Sequence, residues 1–580
     1  MNKIKKKNKA KQPQRRTPPP QKNIKKAAGA TFFDNAEKWL GNNSKLSFIV
    51  IAILYFFFAF ISFNVRITES NDDALYIEAG YKYANDFFNY YYTSNAPLYP
   101  MFLSLLISIM GVKLIVFKLF SVLFNFLGLL FLYKAFKGRM PHLILFPVLL
   151  VTAVNSYFLY YASQTYTEAF YLFLSGVFFY SFSRLLDTEV VYNNDIRKTY
   201  KNWLVFGLFA FLLTMTRNVA VASIPAILVY FLLMKEFRNV LYFIISFGIF
   251  KGLFEVIKSL IWGSVGQYGS QSSFIFQKDP YNPAKGMEDF WGLASRYFHN
   301  SDLYISKRLF QILGFKSPDS TTTSTVLTVI VVLLVLWGLY RCFKSKNKIL
   351  ILSTVYFAAL LSASFIALAT RWDQPRMIMI YLPLILFVIL YGIYDILKRT
   401  STPVQTIFLF ILIVISLSSL ITSVKKANKN LPVLSKNLKG EKYAGYTPDW
   451  VNYFKMSEWV GENMPDTAYV ACRKAPISFI HSSGKQFFPV YKVLYNDPDS
   501  SLAYFERNNV THVILANLRR NPKKADGYII NTIHRILKPI ADKYPQKLRV
   551  IHKIGEFEPA YLYEINYNAP AYNIIQPTAN

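Results

Sequence analysis

The sequence predicts a mainly α, polytopic transmembrane helix bundle of about eleven spans, followed by an extracytoplasmic α/β domain. Three observations predict it. Apolar runs rich in Phe, Tyr, Leu and Ile recur through the first three quarters of the 580 residues. Each can cross a bilayer of roughly 30 Å as a helix of about 20 residues. Lys and Arg gather in alternate loops between the runs, and after about Lys425 the long runs give way to short mixed stretches. Backbone polar groups cannot stay unpaired in lipid, so the runs must be helices packed together.

Residues 1–45 hold a dense run of Lys and Arg broken by Pro18, Pro19 and Pro20. Such a stretch cannot bury a core and reads as a disordered cytoplasmic tail. Its charge keeps the N-terminus inside by the positive-inside rule and attracts anionic lipid. The first apolar run begins at Leu46, too long and too late for a cleavable signal, and reads as a signal anchor. A net charge of +32 would suggest nucleic acid in a soluble protein; here the loops absorb it, and no nucleic-acid partner is expected.

The transmembrane domain covers 46–424, with apolar windows near 46–64, 113–134, 141–161, 166–185, 203–217, 218–234, 240–262, 324–341, 349–369, 376–397 and 403–424. With the N-terminus inside, the cytoplasmic loops carry Lys134, Lys137 and Arg139, then Arg184, Arg197 and Lys198, then Lys235 and Arg238, then Arg341 and Lys344, then Lys398 and Arg399. The turn from Ser163 to Thr167 carries no Lys or Arg. The alternation places loops 65–112 and 263–323 and the C-terminal domain 425–580 outside. The apolar stretch Leu98 to Gly111 is short for a span and suits a helix lying at the outer interface. Loop 263–323, with Arg296, Lys307 and Arg308, is long enough to be functional and reads as a lid.

Within 425–580, residues around Trp450 to Met464 read as an amphipathic helix. Runs such as Ala468 to Ala471 and His512 to Leu515 read as strands, and stretches around Ser501 and Tyr528 as helices. This is a domain of ordinary size with no catalytic motif of its own. Its expected role is to cover the membrane site or position an acceptor. Cys342 and Cys472 fall on opposite sides of the membrane and cannot pair with each other.

The chemistry gathers in the first outer loop, at Glu69-Ser70-Asn71-Asp72-Asp73-Ala74-Leu75-Tyr76, followed by Asn95-Ala96-Pro97-Leu98-Tyr99-Pro100. Adjacent residues on a helix point about 100° apart, so one carboxylate can face a substrate while the other caps the helix. A helix cap plus a solvated acid is the plain structural reading. No Gly-rich phosphate loop occurs, which argues against a nucleotide donor. The six histidines are scattered without metal-ligand spacing, so no zinc site is expected. Lys251, Glu255 and Lys258 pair at helical spacing and read as structural.

This loop, with Lys118-Leu119-Phe120-Ser121, the stretch Gln164 to Glu168, and Arg376 with Pro383 entering a late span, resembles the GT-C glycosyltransferases. The likeness is to the branch of protein O-mannosyltransferases and bacterial aminoarabinose transferases acting on lipid A. Asp73 stands where that family usually has Glu, a departure that leaves Asp72 and Asp73 both open as the base. The resemblance implies a polyprenyl-phosphate sugar donor, inversion at the anomeric carbon, and no cofactor; a divalent metal is not expected. Asp72 is the first choice of general base, with Asp73 as the alternative. Lys118, then Arg376 and Arg217, are expected to bind the donor phosphate, and Glu168, Tyr76, Tyr99 and Gln164 the sugar or acceptor. The acceptor is a lipid, glycan or protein, and the setting a bacterial inner membrane. The competing reading is a transporter or lipid flippase, which would carry repeats and polar groups near the bilayer midplane.

Overall fold

The structure, a computed structural model, describes residues 32–192, 195–263, 275–280, 285–370, 372–398, 400, 402–519 and 528–569. It is a multi-pass membrane helix bundle with a small sheet near its C-terminus. Among the described residues seven helices are long and apolar enough to cross a membrane, or up to eight if the bent pair His142–Val154 and Ser156–Ala162 is one span. The remaining apolar windows fall on helices that are shorter or begin with charges: Ile196–Thr214, Asn218–Leu233 and Leu382–Leu397. Leu98–Met110 is a further short apolar helix.

Small residues set the helix crossings, as they do where lipid offers no hydrophobic drive to association. Helix Leu114–Phe136 lies on Thr167–Val191 where Gly128 meets Gly176; a Cβ on Gly176 would stand 2.8 Å from the Gly128 carbonyl. Gly338 and Gly392 make a similar crossing between Thr325–Lys344 and Leu382–Leu397. The 55° bend after Val154 has an identifiable cause. Asn155 accepts from Tyr157 N–H at 3.0 Å and donates to the Ile312 carbonyl at 2.8 Å, so it caps the second helix and fixes its direction.

Two elements depart from the sequence reading. Residues 1–31 lie outside the described residues, but Phe32–Asn42, inside the expected disordered tail, is a helix. Its Glu37 accepts from the His142 and Leu143 N–H groups at 2.8 Å each, satisfying the free donors that open the next helix. The basic run beside it masked an amphipathic pattern. Helix Thr402–Leu438 runs for 37 residues, straight through the composition change at Lys425. Asn430 ties it to the end of the first span by donating to the Ile61 and Phe63 carbonyls.

The sheet has the order β2-β1-β3-β5-β4. Its strands are β1 (Val470–Cys472), β2 (Phe487–Pro489), β3 (His512–Ala516), β4 (Leu548–Ile554) and β5 (Ala560–Ile565). β1 runs parallel to β2 and β3, while β5 is antiparallel to β3 and β4. Helices Pro448–Asn463, Ala475–His481, Pro498–Arg507 and Thr532–Lys543 accompany it. Cys342 and Cys472 are both free and buried.

Candidate active site

After the first span the chain turns at Asn71, whose φ of +85° is in the left-handed region that Asn tolerates better than most residues. Helix Asp72–Asn85 starts there, with both acids in its first turn, where the N-terminal dipole favours negative charge. The helix rotation separates them. Asp73 turns inward and is 1% exposed. Its Oδ2 accepts from Thr68 N–H at 2.8 Å, and its Oδ1 from the Thr68 hydroxyl at 2.8 Å and Ala74 N–H at 2.9 Å. The Tyr166 hydroxyl lies 2.9 Å from both Thr68 Oγ1 and Ser70 Oγ and closes the cluster. Burial pushes the Asp73 carboxyl above the ordinary carboxylate range, opposed by the Thr68 N–H and the Lys118 charge.

Lys118 belongs to this cluster. Its ammonium is 1% exposed and donates to the Arg66 carbonyl, the Ser163 carbonyl at 2.9 Å and Gln164 Oε1 at 3.0 Å. An ammonium has three N–H groups, and all three have protein acceptors. Lys118, expected first among the phosphate ligands, is thus placed as the tie between the first loop and the Ser163–Gln164 turn. Gln164, expected at the acceptor, is its partner.

Asp72 points the other way and keeps a side-chain exposure of 40%. From it runs a row of alternating charges. Arg376 Nη2 donates to Asp72 Oδ2 at 2.6 Å, and Arg376 Nη1 stands 3.8 Å from Glu168 Oε1. Arg217 Nη1 donates to the same Glu168 oxygen at 2.9 Å. Glu168 is 1% exposed, and among the described residues its Oε2 is buried without a hydrogen-bond partner. The two guanidiniums lie over tyrosine rings, Arg376 over Tyr166 at 5.2 Å and Arg217 over Tyr171 at 5.8 Å. Such contacts strengthen as water is excluded.

Each arm of the row has its own support. Glu168 sits in the first turn of Thr167–Val191, and Arg217 immediately before the short 3-10 turn Asn218–Ala222. Arg376 opens the turn Arg376–Met379, and its Nε donates to Gln374 Oε1 at 2.6 Å. The segment before it is held by the π-helical turn Asp302–Arg308. Lys307 donates to Asp373 at 2.6 Å, Arg308 also pairs with Asp373, and the Tyr304 hydroxyl donates to the Trp372 carbonyl. Much of the expected lid therefore brackets the strand of chain that carries Arg376. Residues 264–274 and 281–284 of that loop lie outside the described residues.

Tyr76, one turn after Asp72, packs edge-on against Tyr92 and Tyr99 and feels the charges of Asp72, Arg376, Glu168 and Arg217. Burial pushes its phenol up to about 12. Tyr99 is buried against Phe102 and Phe170, so it supports Tyr76 from behind and is not open to a ligand. Lys251 pairs with Glu255, while the Lys258 ammonium lies 4.9 Å from the Tyr91 ring. Among the described residues no three His, Cys, Asp or Glu side chains converge as a metal would require; Arg376 stands between Asp72 and Glu168.

Sequence reasoning missed the contacts made by the C-terminal part. Lys474, just after β1, is buried and donates to the Glu69 carbonyl at 2.6 Å, three residues before Asp72. Burial lowers its ammonium to about 8, helped by Arg473 and opposed by Asp72, Glu69 and Asp73. Arg66 donates to the Gly445 carbonyl, and the Tyr446 hydroxyl to the Ile67 carbonyl, both at 2.7 Å. These partners are hundreds of residues apart, and no local pattern announces them.

No protein-family model matches the sequence, and no curated protein matches it. Solved structures do. ArnT from Cupriavidus metallidurans bound to undecaprenyl phosphate is 10% identical over 90% of this chain and 99% of its own, with a TM-score of 0.52. The Archaeoglobus fulgidus oligosaccharyltransferase in the apo form is 13% identical over 80% of this chain and 69% of its own, with a TM-score of 0.51. The chain shares the fold of these two structures.

Proposed function

We propose that the chain is an integral-membrane glycosyltransferase that moves a sugar from a polyprenyl-phosphate donor to an acceptor hydroxyl on the extracytoplasmic face, with inversion. The observation that carries this reading is the row Asp72–Arg376–Glu168–Arg217. It joins one accessible carboxylate to two guanidiniums held by a buried acid. The alternating basic loops support an N-terminus in the cytoplasm and a site on the extracytoplasmic face. The undecaprenyl phosphate bound to ArnT supports a lipid phosphate as the donor's leaving group.

In the reaction, the acceptor hydroxyl gives its proton to the Asp72 carboxylate while its oxygen attacks the anomeric carbon from the face opposite the phosphate. The carbon–oxygen bond to phosphate breaks, and the electron pair leaves with the lipid phosphate. A phosphate departs as a stable anion, so the demand on the protein is charge neutralisation, which Arg376 and Arg217 supply in a partly dehydrated site. Glu168 holds the two arginines side by side against their mutual repulsion. Donor phosphate competes with Asp72 for Arg376, so donor binding also frees the base. Asp73, Lys118 and Gln164 fix the loop from which Asp72 projects.

The test is incubation of the purified protein with a panel of polyprenyl-phosphate sugars and envelope extracts, following donor consumption and product. One donor class should be consumed. Arg376→Ala and Arg217→Ala should each weaken its binding at least tenfold, about 1.4 kcal/mol. A chelator should leave transfer unchanged; loss of transfer that a divalent ion restores would put a metal beside Asp72. If no donor is consumed, and the arginine variants bind every donor as the parent does, the reading fails.

A further inference from the structure

The carboxyl edge of the parallel strands carries residues that the transfer step does not use. Arg473 and Lys474 follow β1, and Tyr491 and Lys492 follow β2, so both pairs emerge from the same edge. In open sheets with helical crossovers, ligands lie beyond the carboxyl ends of parallel strands, where the chain turns to opposite sides. Here β1 lies between β2 and β3, the place where the strand order reverses. The edge also meets the first loop: Lys474 donates to the Glu69 carbonyl, and the Tyr491 phenol meets the Asn71 side chain, next to Asp72.

Tyr491 lines a cavity of about 130 Å³ together with Lys492, Tyr495, Ser501, Tyr504 and Phe505. A cavity of that volume is too small for a lipid chain or a drug-sized ligand and suits one small ring. The Tyr495 and Tyr504 rings stand 5.8 Å apart, and the Arg473 guanidinium lies 5.7 Å from the Tyr491 ring. Tyr491 and Tyr495 are accessible, Phe505 is buried, and among the described residues no acidic side chain lines the cavity. Tyrosines offer an apolar face and a polar tip. A pyranose ring offers the complement: apolar C–H faces and a rim of hydroxyls.

We infer that this edge is the acceptor subsite, in which a sugar ring of the accepting glycan packs on Tyr491, Tyr495 and Tyr504. The inference rests on the transfer reading and narrows its acceptor to a saccharide. It is tested with the purified full-length chain by saturation-transfer NMR, using chitopentaose, cellopentaose and mannopentaose as probes. At least one probe should bind saturably. Tyr495→Ala should weaken that binding at least tenfold, and Tyr495→Trp, which restores a ring, should recover it. In turnover, Tyr495→Ala should raise acceptor KM and leave kcat and donor affinity unchanged. Asp72→Asn should bind the probe as the parent does, which separates binding from chemistry. Failure of every probe, binding indifferent to Tyr495→Ala, or preference for a Tyr-rich peptide over the saccharides overturns the subsite. Full transfer by Asp72→Asn with saccharide binding still lost in Tyr495→Ala would instead sink the reaction reading and leave the subsite standing.

Discussion

Two polar clusters meet at the peptide bond between Asp72 and Asp73, and they are built from the same residue types to opposite ends. On the Asp73 side, a carboxylate, an ammonium, hydroxyls and carbonyls satisfy one another out of reach of water. On the Asp72 side, one carboxylate is accessible, two guanidiniums flank a buried acid, and a Glu168 oxygen is left without a partner among the described residues. A saturated cluster rigidifies a fold; an under-saturated one keeps capacity for a ligand. Charge alone does not identify a site, and the open hydrogen-bonding capacity does.

Substitutions can break or sharpen this contrast. The largest stability effect should come from Glu168→Ala, which leaves Arg217 and Arg376 facing each other without their shared acid. Removing one partner of a buried charge group typically costs about 3–5 kcal/mol, to be read as a fall in thermal midpoint of the detergent-purified protein. Asp73→Ala comes next. It leaves the buried Thr68 and Ala74 N–H groups without their carboxylate acceptor, at about 1–3 kcal/mol for a buried group left unsatisfied. Equal stability of Asp73→Ala and parent would mean that the Asp73 side is not the closed cluster described.

Lys474→Met should release the Glu69 carbonyl and lower kcat by about tenfold, with donor affinity unchanged and activity recovered in Lys474→Arg. Its titration offers a second reading. The folded ammonium lies near 8, against about 10.4 for a free lysine. The unfolded chain therefore holds the proton more tightly between those values. Stability linked to Lys474 is present above about 10.4 and is lost as pH falls through 8. The difference in stability between parent and Lys474→Met should slope across that window; a flat difference contradicts the burial of Lys474. The smallest effect should be that of Asp72→Asn on folding, below about 1 kcal/mol as for a half-exposed ion pair. A loss as large as that of Asp73→Ala would erase the contrast.

The bundle was legible because a 20-residue apolar helix needs no tertiary information to recognise. The helix Phe32–Asn42 was hidden because a neighbouring basic run dominates composition, although its fixing contact is Glu37 on a distant helix start. The acid pair was legible as a pair, and helical geometry foretold that its members would diverge. Which acid turned outward depends on the left-handed Asn71 and on Thr68 and Tyr166, a choice made by tertiary contacts. Arg217, Glu168 and Arg376 are expected at the site from the resemblance, and the structure brings them together with Asp72. Lys118 looked equivalent to them in sequence, because nothing local reveals that three carbonyl-type oxygens await its ammonium. The role of Lys474 lay beyond any local signal.

The most direct test of the central claim is the rate of sugar transfer by Asp72→Asn, measured beside donor binding on the same preparation. The amide keeps the shape of the side chain and removes its basicity. Transfer should fall by at least roughly 100-fold, the lower end of general-base catalysis, with the protein folded and the polyprenyl-phosphate sugar still bound. Parental turnover in that variant would contradict the account.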